Sequence, residues 1–200
     1  KFDKKVTRTK NRPIASGEIS VSLGFVYSFI LCLLALVILI NFNNLTIILA
    51  LGSMPLAFTY PLMKRYTYWP QLFLGITFNY GLVLGWTSAT NEISIIPIVF
   101  YIAAIFWTLG YDTIYGFQDI KDDEIIGLKS TSIKFKKKPI IFLHSCYLIF
   151  LIGLFLTGYL LEVNILSYVI FLAVIMHLYF FQLKKLDIED PSNCLKIFKS

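Results

Sequence analysis

Apolar runs long enough to cross a bilayer recur along this 200-residue chain and limit what it can fold into. The hydrocarbon core of a membrane is crossed by roughly 20 residues of helix. Charged residues make up 15% of the chain, against roughly 25% in an ordinary soluble domain. The sequence therefore predicts an all-α, polytopic bundle of transmembrane helices, with six spans at about 19–40, 44–61, 70–90, 93–116, 139–160 and 163–183.

The basic residues follow the same pattern. All 18 Lys and Arg fall within 1–18, 64–65, 121–138 and 184–200, so every second connection between spans carries none. Such alternation matches the positive-inside rule and predicts that these four segments lie on the cytoplasmic or matrix side. The net charge of +6 therefore reflects topology, and no nucleic-acid partner is expected.

Cysteine and histidine give no indication of a metal or redox centre. Cys32, Cys146 and Cys194 lack CxxC spacing, and two of them lie inside predicted spans. His144 and His177 have no partner at metal-ligand spacing. We interpret all five as packing residues, not as disulfides or zinc ligands.

The stretch "YDTIYGFQDIKDDEIIGLKST" places carboxylates at the end of an apolar span. In a helix from Trp107 to Glu124, Asp112, Asp119 and Asp123 are spaced i, i+7 and i+11 and share one face. Asp112 falls within the apolar layer, where a carboxylate costs at least about 2.5 kcal/mol. A solvated, charged helix end is the simpler interpretation, but it does not account for that residue.

A divalent cation would relieve the repulsion between these carboxylates. Hard oxygen ligands without His or Cys favour magnesium or calcium. Magnesium usually takes few protein carboxylates and completes its shell with water and substrate phosphates. The pattern predicts a magnesium–diphosphate site at the membrane surface.

Basic residues in two other loops on the same side supply matching chemistry. Arg8 and Arg12 lie in the first loop, and Lys64 and Arg65 lie between two spans in "YPLMKRYTYWP". Arginine forms forked bonds to phosphate or carboxylate, whereas lysine acts as a point charge. The prolines on either side of Arg65 restrict its loop, which favours a site over a simple topology signal.

Three blocks, "KFDKKVTRTKNRPIASGEIS", "YPLMKRYTYWPQLFLGITFNYGLVLGW" and the aspartate stretch, resemble the UbiA superfamily of intramembrane prenyltransferases. Within it they are most similar to the 4-hydroxybenzoate polyprenyltransferases of ubiquinone biosynthesis. That family has nine transmembrane helices and two aspartate-rich motifs. The resemblance implies that residues 1–200 are a single transmembrane prenyltransferase domain truncated at both ends, with Asp3 the last aspartate of the first motif.

The resemblance also implies an activity: Mg2+-dependent transfer of a polyprenyl group from polyprenyl diphosphate to the ring of 4-hydroxybenzoate. Asp112 would orient or deprotonate the phenol. The enzyme would lie in the bilayer of a bacterial or mitochondrial inner membrane, with its site on the cytoplasmic or matrix side. The remaining implied roles are metal binding by Asp3, Asp119 and Asp123, diphosphate binding by Arg8, Arg12, Tyr60 and Lys64, and binding of the aromatic carboxylate by Arg65.

Three alternatives stay open at this stage. Another aromatic or haem prenyltransferase of the superfamily would share the aspartates but not the "YPLMKR" and "GLKST" sequences. A CDP-alcohol phosphotransferase requires a DG-x2-AR-x8-G-x3-D-x3-D run, which does not occur. A non-enzymatic transporter would need polar residues near the midplane of several spans, whereas here they gather near one surface.

Overall fold

A computed structural model describes residues 9–200, and all the regular elements within that range are helical. Six of these helices have the length and apolar composition needed to cross a membrane, which confirms the predicted all-α bundle and its six spans. The chain is therefore an integral membrane protein. The six spanning segments are Val21–Leu39, Asn44–Tyr66, Pro70–Thr90, Ile95–Ile126, Pro139–Leu160 and Ile165–Leu183.

Several spans are built from more than one helical piece, joined by 3₁₀ turns at Tyr60–Leu62 and Phe117–Asp119 or continued by a π-helical segment at His177–Leu183. The α-helices are α1 (Pro13–Ser16), α2 (Val21–Leu39), α3 (Asn44–Thr59), α4 (Met63–Tyr66), α5 (Pro70–Asn79), α6 (Gly81–Thr90), α7 (Ile95–Gly116), α8 (Ile120–Ile126), α9 (Thr131–Phe135), α10 (Pro139–Leu160), α11 (Ile165–Met176) and α12 (Pro191–Phe198).

Local sequence signals set where the spans begin. Asn43 and Asn164 stand before α3 and α11 in extended conformation, and their side-chain oxygens accept the backbone N–H three residues later. Each cap satisfies one of the orphan donors of a helix start. On the basic side, Pro70 and Pro139 occupy the first position of α5 and α10, where a missing N–H costs nothing.

Helix α7 lies at the centre of the bundle and packs against α5, α10 and α12. Glycines permit the close approach: a β-carbon on Gly75 would lie 2.9 Å from the Ile105 carbonyl oxygen, and one on Gly110 would lie 2.5 Å from Tyr147 Cε1. Small residues at such contacts are typical of membrane helices. Asn79 fixes α5 further, because its Nδ2 donates to Thr108 Oγ1 at 2.7 Å. Gly75 and Asn79 thus hold the second half of α5 against the middle of α7.

The predicted continuous helix from Trp107 to Glu124 is wrong in one respect. Helix α7 ends at Gly116, and a 3₁₀ turn precedes α8. The Phe117 N–H bonds to the Ile114 carbonyl, while the Thr113 carbonyl accepts the Ser132 hydroxyl at 2.8 Å. A side chain that enters the helical ladder in this way is a recognised cause of such breaks.

The buried core joins α7, α10, the π-helical segment and α12. Cys146 and Cys194 lie in it as predicted, and burial raises the pKa of the Cys194 thiol to about 11. The packing interpretation is wrong for Cys32, which is exposed because α2 buries no residue against the described chain. His144 is also exposed and lies against the Tyr179 ring.

Candidate functional site

A cavity of about 450 Å³ opens where the starts of α4 and α5 meet the end of α7. Its wall brings together seven of the nine residues that the sequence assigned to the site. The other two, Asp3 and Arg8, lie outside the described residues. The seven that line the cavity are Arg12, Tyr60, Lys64, Arg65, Asp112, Asp119 and Asp123.

The three aspartates reach the cavity despite the break in their helix. Asp112 lies on α7 and is partly buried, Asp119 ends the 3₁₀ turn, and Asp123 lies on α8. Asp119 is 6% exposed and Asp123 only 2% exposed. Glu124 turns outward and pairs with Lys136, so it takes no part in the cavity wall. The structure thus separates cavity carboxylates from a surface carboxylate one residue further on.

Two of the cations in the cavity wall come from the short helix α4. Lys64 Nζ lies 3.6 Å from Asp123 Oδ2, and its side chain is 43% exposed. Arg65 lines the same cavity but is more exposed. The Lys64 carbonyl accepts the Lys129 N–H at 2.8 Å, which ties α4 to the loop after α8. The backbone that carries Lys64 is therefore hydrogen-bonded to the segment that follows the helix of Asp123.

A buried polar network beneath the cavity was not predicted. Gln71 Oε1 accepts the Thr131 N–H at 3.0 Å, and the Thr131 and Thr113 hydroxyls share a hydrogen bond of 2.6 Å. Ser132 donates to the Thr113 carbonyl. These bonds join α5, α7 and α9 below the carboxylates. Gln71 carried one signal in the sequence, since it is a polar residue at the second position of an apolar span.

The two buried carboxylates fit a divalent cation that also binds phosphate. Buried charges require compensating charges, and Lys64 lies 3.6 Å from Asp123. Within residues 9–200, no three His, Cys, Asp or Glu side chains form a complete metal-binding group. Magnesium is commonly held by one or two carboxylates, with phosphate oxygens and water as its other ligands. Asp119 and Asp123 match that requirement in number and in donor type.

A second, larger cavity of about 900 Å³ is lined mostly by apolar and aromatic side chains of α5, α6, α7, α10 and α11. This second cavity lies further along helices that also line the first one. On the span formed by α5 and α6, Gln71 and Leu74 line the first cavity, and Phe78 and Leu82 line the second. These four positions are spaced i, i+3, i+7 and i+11, which is one helix face. A charged cavity is thus followed along the bundle by an apolar one.

Comparison with known proteins gives a consistent result. A family model described as the UbiA prenyltransferase family matches residues 1–200. The chain is 44% identical to a mitochondrial 4-hydroxybenzoate polyprenyltransferase of Bos taurus, with 100% of this chain and 54% of that protein covered. It is 41% identical to 4-hydroxybenzoate geranyltransferase 2 of Lithospermum erythrorhizon, with 100% and 65% covered. The chain therefore spans about half to two thirds of the length of these relatives.

A solved structure supports the fold. The apo structure of a UbiA homolog from Aeropyrum pernix K1 superposes with a TM-score of 0.71 at 19% identity, covering 99% of this chain and 79% of that one. At this identity the likeness concerns the fold alone. The family match, in contrast, extends over the whole chain and agrees with the three sequence blocks quoted above. The chain belongs to the UbiA prenyltransferase family.

Proposed function

We propose that the protein transfers a polyprenyl group from polyprenyl diphosphate to the ring of 4-hydroxybenzoate, a membrane step of ubiquinone biosynthesis. The observation that carries the proposal is one cavity in which two buried carboxylates, Lys64 and Arg65 meet next to a long apolar cavity. The acceptor is suggested by relatives named for 4-hydroxybenzoate.

The charged cavity suits the diphosphate end of the donor. Lys64 supplies a positive charge next to Asp123, and Arg12 and Tyr60 line the same wall. Asp119 and Asp123 would hold Mg2+, which when bound supplies positive charge to the departing diphosphate. The apolar cavity suits the isoprenoid chain, because its wall contains Phe78, Trp107 and many other carbon-rich side chains.

In the proposed reaction, a carbon–oxygen bond of the donor is exchanged for a carbon–carbon bond of the product. The bond between the allylic carbon and the diphosphate oxygen breaks, and the electron pair leaves with the diphosphate. A ring carbon ortho to the hydroxyl group then forms the new carbon–carbon bond, and the ring loses a proton. Arg65 binds the carboxylate of the aromatic acid, because a guanidinium matches its two oxygens. Asp112 accepts a hydrogen bond from the phenol.

The alternative functions fit the described cavity and the relatives less well. The polar residues converge at one end of α7, which favours an enzyme over a transporter with polar groups spread through the midplane. Among superfamily members, the named acceptor of the relatives favours 4-hydroxybenzoate over homogentisate, naphthoate or haem. We place the protein in a bacterial or mitochondrial inner membrane, with this cavity on the cytoplasmic or matrix side, because the basic loops surround it.

Membranes that carry the complete protein provide the test. Radiolabelled 4-hydroxybenzoate, polyprenyl diphosphate and Mg2+ should together give a labelled lipid, and omission of any one, or addition of a chelator, should abolish it. The same membranes with labelled homogentisate serve as the control for a different acceptor. Label that enters lipid only from the control acid would contradict the proposal and favour the superfamily alternative.

A further inference from the structure

Gln71 directs an amide group into the charged cavity. Its side chain is 3% exposed and lines the cavity wall next to Gly116. Because the Thr131 backbone N–H can only donate, the Gln71 oxygen must face it, at 3.0 Å. The amide nitrogen therefore faces the other way, and it makes no hydrogen bond to any residue within 9–200. An amide N–H in this position can donate to a substrate oxygen that enters the cavity.

The backbone of α7 is shaped to admit this amide. A β-carbon on Gly116 would lie 3.2 Å from Gln71 Nε2, so glycine leaves the nitrogen room beside the helix. Asp112 precedes Gly116 by four residues on α7, and residues spaced in this way lie about 6 Å apart on a helix surface. A donor and a carboxylate acceptor thus line one part of the wall, about one helical turn apart.

We infer that Gln71 binds the aromatic substrate by donating a hydrogen bond to the oxygen of its ring hydroxyl group, while Asp112 accepts the hydroxyl proton. This inference rests on the proposed function. A phenol has one proton to donate and lone pairs to accept, so it needs one acceptor and one donor. Asp112 and Gln71 provide that pair, whereas the anionic groups of both substrates are matched by Lys64, Arg65 and Arg12.

The same contact assists the chemistry. As the ring attacks the allylic carbon, the hydroxyl group becomes more acidic, and its proton moves to Asp112. The Gln71 N–H then stabilises the electron density left on the oxygen, as a fixed donor does for a developing oxyanion. Asp112 then returns its proton to the oxygen, and the ring carbon loses its proton to the released diphosphate, so the hydroxyl group and the carboxylate of Asp112 are both restored.

Equilibrium displacement of radiolabelled 4-hydroxybenzoate from membranes tests the contact without turnover. Benzoate, which lacks the hydroxyl group, should bind the unmodified protein about tenfold more weakly than unlabelled 4-hydroxybenzoate. In Gln71→Met, which keeps the length of the side chain and removes the amide, this preference should fall to about threefold, because Asp112 still accepts the hydroxyl proton. The KM for polyprenyl diphosphate in the same variant should stay unchanged.

Ser132→Ala is the matched control. Ser132 belongs to the same polar network and lies even closer to Gly116 than Gln71 does, but its hydroxyl donates to the Thr113 carbonyl. This variant should keep the tenfold preference for the hydroxylated acid even if it lowers stability. If Ser132→Ala loses the preference as fully as Gln71→Met does, the network supports the fold alone, and the inference fails.

Two further outcomes overturn the inference, and the first needs neither a variant nor turnover. Equal binding of benzoate and 4-hydroxybenzoate to the unmodified protein would mean that no group reads the hydroxyl. A rise in the KM for polyprenyl diphosphate in Gln71→Met, with the acid preference intact, would assign the amide to a diphosphate oxygen. Failure of the proposed function differs from both, because the unmodified protein would then form no prenylated 4-hydroxybenzoate.

Discussion

Lys64 and Arg65 are adjacent on α4 and line the same cavity, but they carry different charged groups. Lys64 pairs with Asp123 at 3.6 Å, on the side assigned to the metal and the diphosphate. Arg65 carries the forked group that suits a carboxylate. This difference predicts that the two cations serve different substrates.

Alanine substitutions at the two positions test this division of labour. Lys64→Ala should raise the KM for polyprenyl diphosphate, and Arg65→Ala should raise the KM for 4-hydroxybenzoate. Loss of a charge contact at a desolvated site costs roughly 2–5 kcal/mol, and partial exposure places both changes toward the lower end. Steady-state kinetics with each substrate varied in turn provide the measurement. Equal effects on both substrates in both variants would refute the division.

The Lys64–Asp123 pair also predicts that removal of Lys64 strengthens metal binding, although it weakens binding of the diphosphate substrate. Lys64 repels a cation that approaches Asp123, so Lys64→Ala should bind Mn2+ more tightly when no diphosphate is present. The expected gain is up to about fivefold, equivalent to the roughly 1 kcal/mol of a half-exposed pair. Electron paramagnetic resonance measures the bound Mn2+ directly.

Lys134→Ala is the matched control for this experiment, because it removes a charge that lies over the Trp69 ring at 4.3 Å and does not line the cavity. Its Mn2+ affinity should match that of the unmodified protein. An unchanged or weaker affinity in Lys64→Ala would mean that the ion pair does not compete with a cation.

At the scale of elements, the contact between the end of α7 and α9 determines where Asp119 and Asp123 lie. A β-carbon on Gly116 would come within 2.3 Å of Ser132 Oγ, whereas one on Gly85 of α6 would meet nothing within 4 Å. Gly116→Ala should therefore lower stability by about 1–3 kcal/mol through overpacking. Gly85→Ala should leave stability equal or slightly higher, since alanine favours a helix. Thermal inactivation in detergent compares the two, and equal midpoints would contradict the close packing.

The contact between the end of α7 and α9 also explains which features of these elements could be predicted from the sequence. The length and apolar composition of the runs predict six spans, and the bounds of the third and fifth spans agree with the helices at both ends. The 3₁₀ turn at Phe117–Asp119 depends on Ser132, fifteen residues after it starts, and periodicity in one segment carries no information about such a contact. The role of Gln71 in the cavity wall could not be predicted for the same reason, because its partner Thr131 is distant in the sequence.

At the scale of the molecule, one side of the bundle gathers the basic loops and the charged cavity. Cysteines placed at Asn41, Glu92 and Leu161, all exposed in connections without basic residues, should react with an impermeant maleimide from the outer face. Cysteines at Lys137 and Lys185 should react only after the membrane is permeabilised. A background without the three native cysteines is required, since Cys32 is exposed. If Glu92 and Lys137 react from the same side, the six-span arrangement is wrong.

The candidate site was largely predictable at this scale. Seven of the nine assigned residues line one cavity, because the positive-inside pattern placed their loops on one side before any contact was known. Their individual roles stay predictions, as does the interpretation of residues 1–200 as a domain truncated at both ends. The buried polar network could be identified only from the packed helices, since no local sequence pattern indicates which loops are in contact.

The most direct measurement of the central claim is turnover across a magnesium titration for Asp119→Asn, Asp123→Asn and Glu124→Gln. Both asparagine variants should lose orders of magnitude in turnover and regain part of it with added magnesium, because the shape of the side chain stays while the charge on the metal ligand is lost. Glu124→Gln should be nearly silent, since Glu124 faces Lys136 outside the cavity. Three similar, mild losses with no change in magnesium demand would contradict the account.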